Sequence, residues 1–161
     1  MNKPVCLITA PVATRSGYGA HARDIARSLI ELDKFDVKIW NVRWGNTPMN
    51  ALNDQEPRDK MIIDRLLQNP QLPTQPDIHV HIVIPNEFSP IGKFNIGITA
   101  GLECTVCPPQ WIEGMNRMDM NIVPSTFVKD VFKSTTYDIQ DKQTGQQKGS
   151  LQVTKKNKDF I

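Results

Sequence analysis

Residues 7–29 read LITAPVATRSGYGAHARDIARSL, and this stretch decides the fold. A short apolar run ends at Ala10, a turn with Gly17 and Gly19 follows, and the turn opens directly into an amphipathic helical pattern. Such a junction binds anions in α/β proteins, because backbone N–H groups at a helix N-terminus point at the ligand and the helix dipole favours negative charge. Glycine has no Cβ, so it lets the backbone approach a ligand closely. The stretch therefore predicts a phosphate site between a strand and a helix.

The elements around this stretch predict a βαβ unit. Residues 5–10 have the pattern of a buried strand, residues 20–32 that of a helix, and residues 36–42 that of a second strand. Strand, helix and strand in succession imply a parallel sheet. Further strands are predicted at residues 78–84, 94–99, 120–123 and near 151–153, and further helices at residues 58–68, 111–118 and 126–134.

The predicted fold class is α/β, with one Rossmann-like domain built on a doubly wound, mainly parallel sheet of six or seven strands. We assign residues 1–134 to this domain, and residues 135–161 to a polar excursion, a last strand and the start of a linker. Sheets of this kind bind ligands beyond the C-terminal ends of their strands, where a turn after the first strand would lie.

Composition indicates an ordinary globular protein rather than a membrane or nucleic-acid protein. The chain has 161 residues, of which 39% are hydrophobic and 22% charged, and its formal charge is +2. No apolar run is long enough for a membrane helix and no signal-peptide pattern opens the chain, so a cytoplasmic location is expected. Five lysines between Lys142 and Lys158 favour a solvated tail, although a nucleic-acid module that uses this tail remains an alternative.

The cysteines and histidines do not form a predicted metal site. Three cysteines argue against a disulfide framework, while the C-x-x-C of Cys104 and Cys107 could be redox-active or half of a zinc site. The chain offers no second pair of matching ligands, and we expect His79 and His81 on opposite faces of their strand. No metal and no bound cofactor are therefore predicted.

The glycine turn also matches a dinucleotide fingerprint in a formal sense. Gly17, Gly19 and Ala22 have the spacing G-x-G-x-x-A, but the glycines lie several residues beyond the end of the strand. The second strand ends near Asn41 and Arg43 rather than at an acidic residue that would bind a ribose hydroxyl. Arg43 could instead accommodate the 2′-phosphate of NADP, so an NADP-binding oxidoreductase domain remains an alternative.

Four further motifs follow in a fixed order along the chain. They are residues 85–88 (PNEF), 97–103 (GITAGLE), 109–119 (PQWIEGMNRMD) and 123–125 (VPS). Together with residues 16–19 (SGYG) before a helix, they resemble the N-terminal, acceptor-side domain of GT-B glycosyltransferases of the retaining, glycogen-synthase-like superfamily, most of all bacteriophage-encoded members. The resemblance covers residues 5–132, and its strength lies in the ordered set rather than in any one motif.

The resemblance implies a donor-phosphate site at the turn. Gly17, Tyr18 and Gly19 match the loop that meets the diphosphate of a nucleotide sugar, with Ser16 and His21 beside them. Backbone N–H groups there would stabilise the charge of the departing diphosphate without a metal ion.

The resemblance also implies catalytic and acceptor residues. Glu103 matches an acidic position of the cleft, and we take it together with His81 as the candidate catalytic pair. Asn86, Glu87 and Trp111 are candidate acceptor contacts. Four of these five have a plain structural alternative: His81 as a buried core imidazole, the two glutamates as solvated or capping acids, and Trp111 as a packing residue.

The expected function is that of the N-terminal half of a hexosyltransferase-type enzyme that transfers a sugar from a nucleotide sugar to an unknown acceptor. In this family a C-terminal domain binds the donor, so we expect the 161-residue chain to be inactive alone and its exposed domain face to favour self-association. DNA is a possible acceptor if the protein is phage-encoded, in which case it would work in the host cytoplasm.

Overall fold

The computed structural model describes residues 3–154. The strands are β1 (Val5–Ala10), β2 (Asp36–Asn41), β3 (Ile78–Ile82), β4 (Phe94–Ile98), β5 (Met120–Ile122), β6 (Tyr137–Gln140) and β7 (Gln147–Leu151). The helices are α1 (Gly17–Glu31), α2 (Pro57–Ile63), α3 (Pro109–Arg117) and α4 (Thr126–Ser134), and one 3₁₀ turn spans Pro85–Glu87. Residues 155–161, where we expected the start of a linker and three of the five tail lysines, lie outside the described residues.

The first five strands form one parallel sheet in the order β2-β1-β3-β4-β5. This confirms the α/β, Rossmann-like fold class, and the order is that of a doubly wound sheet whose switch point lies between β1 and β3. The prediction of six or seven strands in one sheet is wrong, because β6 and β7 pair only with each other, as an antiparallel hairpin. Their residues are mostly exposed, and Ile139 is 46% exposed, so the hairpin buries little apolar surface.

Two compact units are distinguished by their internal contacts. Of the described residues, unit 1 comprises residues 3–83 and 90–96, and unit 2 comprises residues 84–89 and 97–154. In unit 1, β1 pairs in parallel with β2 on one side and β3 on the other. The core of this unit is formed by apolar side chains of β1, β2, β3, α1 and α2, namely Leu7, Ile8, Ala22, Ala26, Val37, Ile39, Ile62, Val80 and Ile82.

Unit 2 is built around α3 and α4. Helix α3 buries Ile112 and Met115, and α4 buries Val128, Val131 and Phe132. Helix α3 also contacts the 3₁₀ turn and β7. The predicted strand near residues 151–153 is wrong in position, since β7 ends at Leu151 and the segment after it is bonded to the side chain of a residue in α3.

The predicted helix at residues 58–68 is too long, since α2 ends at Ile63. The following residues bond to the edge of β2 instead: the amide of Ile39 donates to the carbonyl of Arg65, and the amide of Leu67 donates to the carbonyl of Ile39. This segment satisfies the outer edge of β2, which a helix could not do.

Candidate functional site

The turn between β1 and α1 is ordered by a helix cap. Ser16 has an extended backbone, and its Oγ accepts a hydrogen bond of 3.0 Å from the amide of Gly19. Thr14 Oγ1 lies 2.8 Å from Ser16 Oγ and donates to the carbonyl of Pro11, also over 2.8 Å. Helix α1 begins at Gly17, three positions earlier than the apolar pattern predicts, because Ser16 satisfies its first turn.

A cation of α1 holds the turn from the helix side. Arg23 Nη1 donates to the carbonyl oxygens of Val12 and Thr14, each over 2.9 Å. Partial burial is the main cause that lowers the pKa of Arg23, and the nearby charge of Arg27 lowers it further. The side chain remains a cation, because a guanidinium does not lose its proton in proteins.

The last residue of β2 and the loop after it hold the turn from the other side. Asn41 Oδ1 accepts a 3.0 Å bond from the amide of Ala13. The amide of Arg15 donates to the carbonyl of Pro48 over 2.9 Å, and the amide of Ala51 donates to the carbonyl of Ala13 over 3.0 Å. The turn is therefore fixed before any ligand arrives, which lowers the entropic cost of binding.

Most amides of the turn are used by the protein itself. Those of residues 12–15 all donate to acceptors within unit 1. Within residues 3–154, the amides of Ser16 and Gly17 make no hydrogen bond with the protein. These two N–H groups lie at the start of a 15-residue helix, so they are the groups of the turn that can donate to an anion.

The two glycines of the turn have different reasons to be glycine. A Cβ on Gly19 would lie 2.3 Å from the carbonyl oxygen of Thr14 and 3.0 Å from that of Pro11. Close packing of α1 on the turn therefore requires a glycine at position 19. A Cβ on Gly17 would meet nothing within 4 Å, so the protein's own packing does not explain this glycine.

The turn and the segments next to it carry a histidine, two aromatic rings and an arginine. His21 is exposed and lies four residues further along α1, on the same helix face. The rings of Tyr18 and Trp44 contact each other with centroids 4.3 Å apart. Arg15 is drawn toward Asn50, since its Nε donates to the side-chain oxygen of Asn50 over 2.9 Å.

His81 lies in the interior of unit 1, on β3 beside β1. It is paired in register with Thr9 and is only 7% exposed. Burial, and then the neighbouring His79, lower the pKa of His81 to about 3. At neutral pH its imidazole is therefore uncharged: one ring nitrogen is a hydrogen-bond donor and the other an acceptor, and the side chain cannot act as a cation.

The expectation that His79 and His81 face opposite sides of the strand is wrong. Their rings lie with centroids 5.1 Å apart, and His79 Nε2 shares a 2.9 Å hydrogen bond with Thr9 Oγ1. Residues separated by one position point to the same face of a strand, so the spacing itself dictates this arrangement.

In unit 2, the 3₁₀ turn exposes Asn86 and Glu87 while its backbone is held from behind. Arg117 donates from Nη2 to the carbonyl of Asn86 and from Nε to the carbonyl of Phe88, each over 2.9 Å. A Cβ on Gly114 would lie 1.7 Å from the carbonyl oxygen of Pro85, so α3 meets this turn at van der Waals contact only because residue 114 is glycine.

The other candidate residues of unit 2 lie on α3 and on the chain before it. Glu103 is exposed, in a bend between β4 and α3. Trp111 is half-buried and stacks on Phe132, with ring centroids 6.2 Å apart. One face of its indole is therefore used in packing within unit 2.

The structure thus brings Ser16, Gly17, Tyr18, Gly19 and His21 together in one turn of unit 1. The neighbouring strand β3 of that unit carries His81, and Asn86, Glu87, Glu103 and Trp111 belong to unit 2.

Two cavities of unit 1 lie elsewhere. One, of about 250 Å³, is lined by Leu7, Ile91 and residues of the segment 70–76, and the other, of about 530 Å³, by residues that include Lys3, Val5 and Asp36.

Sequence reasoning missed the residues that fix these turns: Arg23, Asn41 and Arg117. Each acts through a side-chain bond to the backbone of a segment distant in the chain, and no local pattern signals such a bond.

No group of three or more His, Cys, Asp or Glu side chains that could hold a metal ion occurs in residues 3–154. In the same range, no helix is long and apolar enough to cross a bilayer. Comparison with protein-family models, with curated proteins and with solved structures finds no match for this chain. The resemblance to GT-B glycosyltransferases therefore stays a prediction from the motifs.

Proposed function

We propose that this chain is the acceptor-side half of a retaining glycosyltransferase of GT-B architecture, and that its β1–α1 turn receives the diphosphate of a nucleotide sugar. Two observations support the proposal. The parallel sheet has the switch point between β1 and β3 at which doubly wound proteins bind ligands, and the turn follows the carboxyl end of β1. The ordered motifs resemble those of the family.

The chemistry of sugar transfer needs donors where charge develops on the leaving diphosphate. The amides of Ser16 and Gly17 supply two such donors, and the dipole of α1 adds a partial positive charge at the same end of the helix. His21, one helical turn further on, adds a side-chain N–H. Because Arg23 and Asn41 hold the turn, these donors need no rearrangement as the charge forms.

The remaining residues receive roles in the proposal as follows. In unit 1, neutral His81 lines the cleft of the proposed enzyme from β3, and in unit 2 the exposed Glu103 orients the donor or acceptor. Asn86 and Glu87 offer an amide and a carboxylate that bind sugar hydroxyls, and Trp111 provides apolar contact. A second domain that binds the nucleotide completes the enzyme.

The single observation that carries the proposal is the open space around Gly17. A glycine that no packing contact demands, at the first residue of a capped helix, leaves room for an oxygen atom to approach two free amides.

The test is a titration followed by amide NMR with a panel of nucleoside diphosphates: UDP, ADP, GDP and dTDP. We expect at least one to shift the Ser16 and Gly17 amide signals. Two further titrations test the alternatives: NADPH for an oxidoreductase domain and duplex DNA for a nucleic-acid module. If all four diphosphates leave these signals unmoved, the proposed phosphate site is wrong, and a response to NADPH alone would assign the turn to an oxidoreductase.

A further inference from the structure

The segment between β4 and α3 carries two cysteines in contrasting surroundings. Cys104 is exposed, whereas Cys107, three residues later, is only 1% exposed. Both are free thiols, and the proposed sugar transfer uses neither of them.

The main chain of Cys107 is fixed at the end of α4. Its amide donates to Thr135 Oγ1 over 3.4 Å, and its carbonyl accepts a 2.7 Å bond from the hydroxyl of Tyr137. Thr135 Oγ1 in turn donates to the carbonyl of Val131 over 2.7 Å. The sulfur of Cys107 is therefore attached to a backbone position that has little freedom to move.

The start of the same segment is fixed at Gly101. This residue has a φ of +79°, and a Cβ there would lie 2.3 Å from Cγ1 of Val128. Between the two fixed points, residues 103–106 are exposed and form a bend. Cys104 lies in this exposed bend, where an external disulfide can reach its sulfur, whereas the buried Cys107 is held by hydrogen bonds of its main chain.

We propose that Cys104 and Cys107 form a reversible disulfide by exchange with a small disulfide such as oxidised glutathione. The exposed thiolate of Cys104 attacks one glutathione sulfur, and the other glutathione leaves as a thiolate that takes up a proton. The thiolate of Cys107 then attacks Cys104 Sγ, and the second glutathione leaves in the same way. In total, two protein thiols become one disulfide, and one glutathione disulfide becomes two thiols.

The surroundings set the order of the two steps. Burial raises the pKa of the Cys107 thiol, so the first attack belongs to Cys104 and the ring closure is the slower step. Cys6 takes no part, because burial within β1 raises its pKa to about 11.

The bond joins residues three positions apart, which disulfide geometry permits when the chain between them turns. Glu103 directly precedes Cys104, so the closed ring would also restrain the backbone of the residue proposed to orient the donor or acceptor. That consequence rests on the proposed function, whereas the disulfide itself does not.

The test is incubation of the full chain with oxidised glutathione, followed by intact-mass and peptide mass spectrometry. We expect the wild-type protein and Cys6→Ala to lose two hydrogens and to give a peptide in which Cys104 and Cys107 are linked. Cys107→Ala should stop at a glutathione adduct on Cys104, and Cys104→Ser should not react while folded. Reduced thioredoxin or dithiothreitol should restore both thiols.

Three results would overturn the proposal. They are a glutathione adduct on Cys104 that persists in the wild-type protein, the absence of any reaction, and a disulfide between two chains. Peptide mapping of the wild-type protein distinguishes all three, so the test holds even if Cys107→Ala does not fold. None of these results depends on nucleotide binding, which the diphosphate titration tests separately.

Discussion

Arg23 reaches back from the second turn of α1 and donates to the carbonyl oxygen of Thr14 over 2.9 Å. The same nitrogen donates to the carbonyl of Val12, so one cation closes the turn that precedes its own helix. The proposed phosphate site is thus supported by a residue that does not belong to it.

Replacement of Arg23 by Leu should loosen the turn. Two carbonyl oxygens lose a charged donor, and we expect a cost of about 1–3 kcal/mol in the free energy of unfolding. Hydrogen exchange should become faster at the amides of the turn, with that of Thr14 as the reporter. Urea unfolding and exchange NMR measure the two effects, and unchanged protection at Thr14 would contradict the role given to Arg23.

The two glycines of the turn should respond in opposite ways to alanine. Gly19→Ala places a Cβ against backbone oxygens, so we expect a loss of about 1–3 kcal/mol. Gly17→Ala meets open space, and it should be neutral or stabilise by about 0.5 kcal/mol, because alanine restricts the unfolded chain. Thermal unfolding of the pair gives the comparison, and equal losses at both positions would refute the different packing of the two glycines.

Stability should fall on mild acidification because of His81. The pKa of its folded form lies near 3, below the ordinary 6.5, so the unfolded chain binds the proton more tightly than the folded chain does. The contribution of His81 to the free energy of unfolding is complete above pH 6.5. It is lost progressively as the pH falls toward 3, at up to about 1.4 kcal/mol per pH unit. Urea unfolding at pH 7, 6 and 5 measures this slope.

A pair of variants isolates the histidine that causes this slope. His81→Gln should flatten the dependence on pH, whatever it does to stability at pH 7. The exposed His21→Gln should leave the slope unchanged. A slope that survives in His81→Gln would assign the effect to another group.

Gly114→Ala tests the support of the 3₁₀ turn in unit 2. The new methyl would overlap the carbonyl of Pro85, so we expect a loss of about 3 kcal/mol. Arg117→Gln, which keeps α3 intact, should instead raise hydrogen exchange of the amides between Pro85 and Phe88 with a smaller loss. A stable Gly114→Ala protein with native exchange in this turn would contradict the contact.

Much of the fold could be predicted because local patterns, namely hydrophobic periodicity and helix-cap residues, determine its strands and helices. The apolar run of β1 and the capped pattern of α4 gave element bounds that match the structure at both ends. The same reasoning failed at residues 64–68, because a helical pattern there yields to edge pairing with Ile39 of β2. Edge pairing is a tertiary contact, and periodicity carries no information about it.

In the candidate site, too, the local features were predictable and the tertiary contacts were not. The glycines and the cap residue Ser16 indicate a phosphate turn, because their chemistry is local. The contacts that hold the turn were not predictable, since Arg23 and Asn41 look like an ordinary helix cation and a strand-end amide. The burial of His81 could be inferred from its strand. That His79 lies on the same face follows from the two-residue period of side chains along a strand.

The central claim is that the Ser16 and Gly17 amides receive a diphosphate, and one pair of variants tests it most directly. Gly17→Asp and Thr126→Asp each place a carboxylate at the first residue of a serine-capped helix, α1 and α4 respectively. Both should benefit equally from the helix dipole, so stability does not separate them.

The measurement is the affinity of each variant for the best-binding nucleoside diphosphate, by NMR titration or calorimetry. We predict that Thr126→Asp binds as the wild type does, and that Gly17→Asp binds at least about tenfold more weakly because like charges repel. Equal affinities in the wild type and in Gly17→Asp would contradict a phosphate site at this turn.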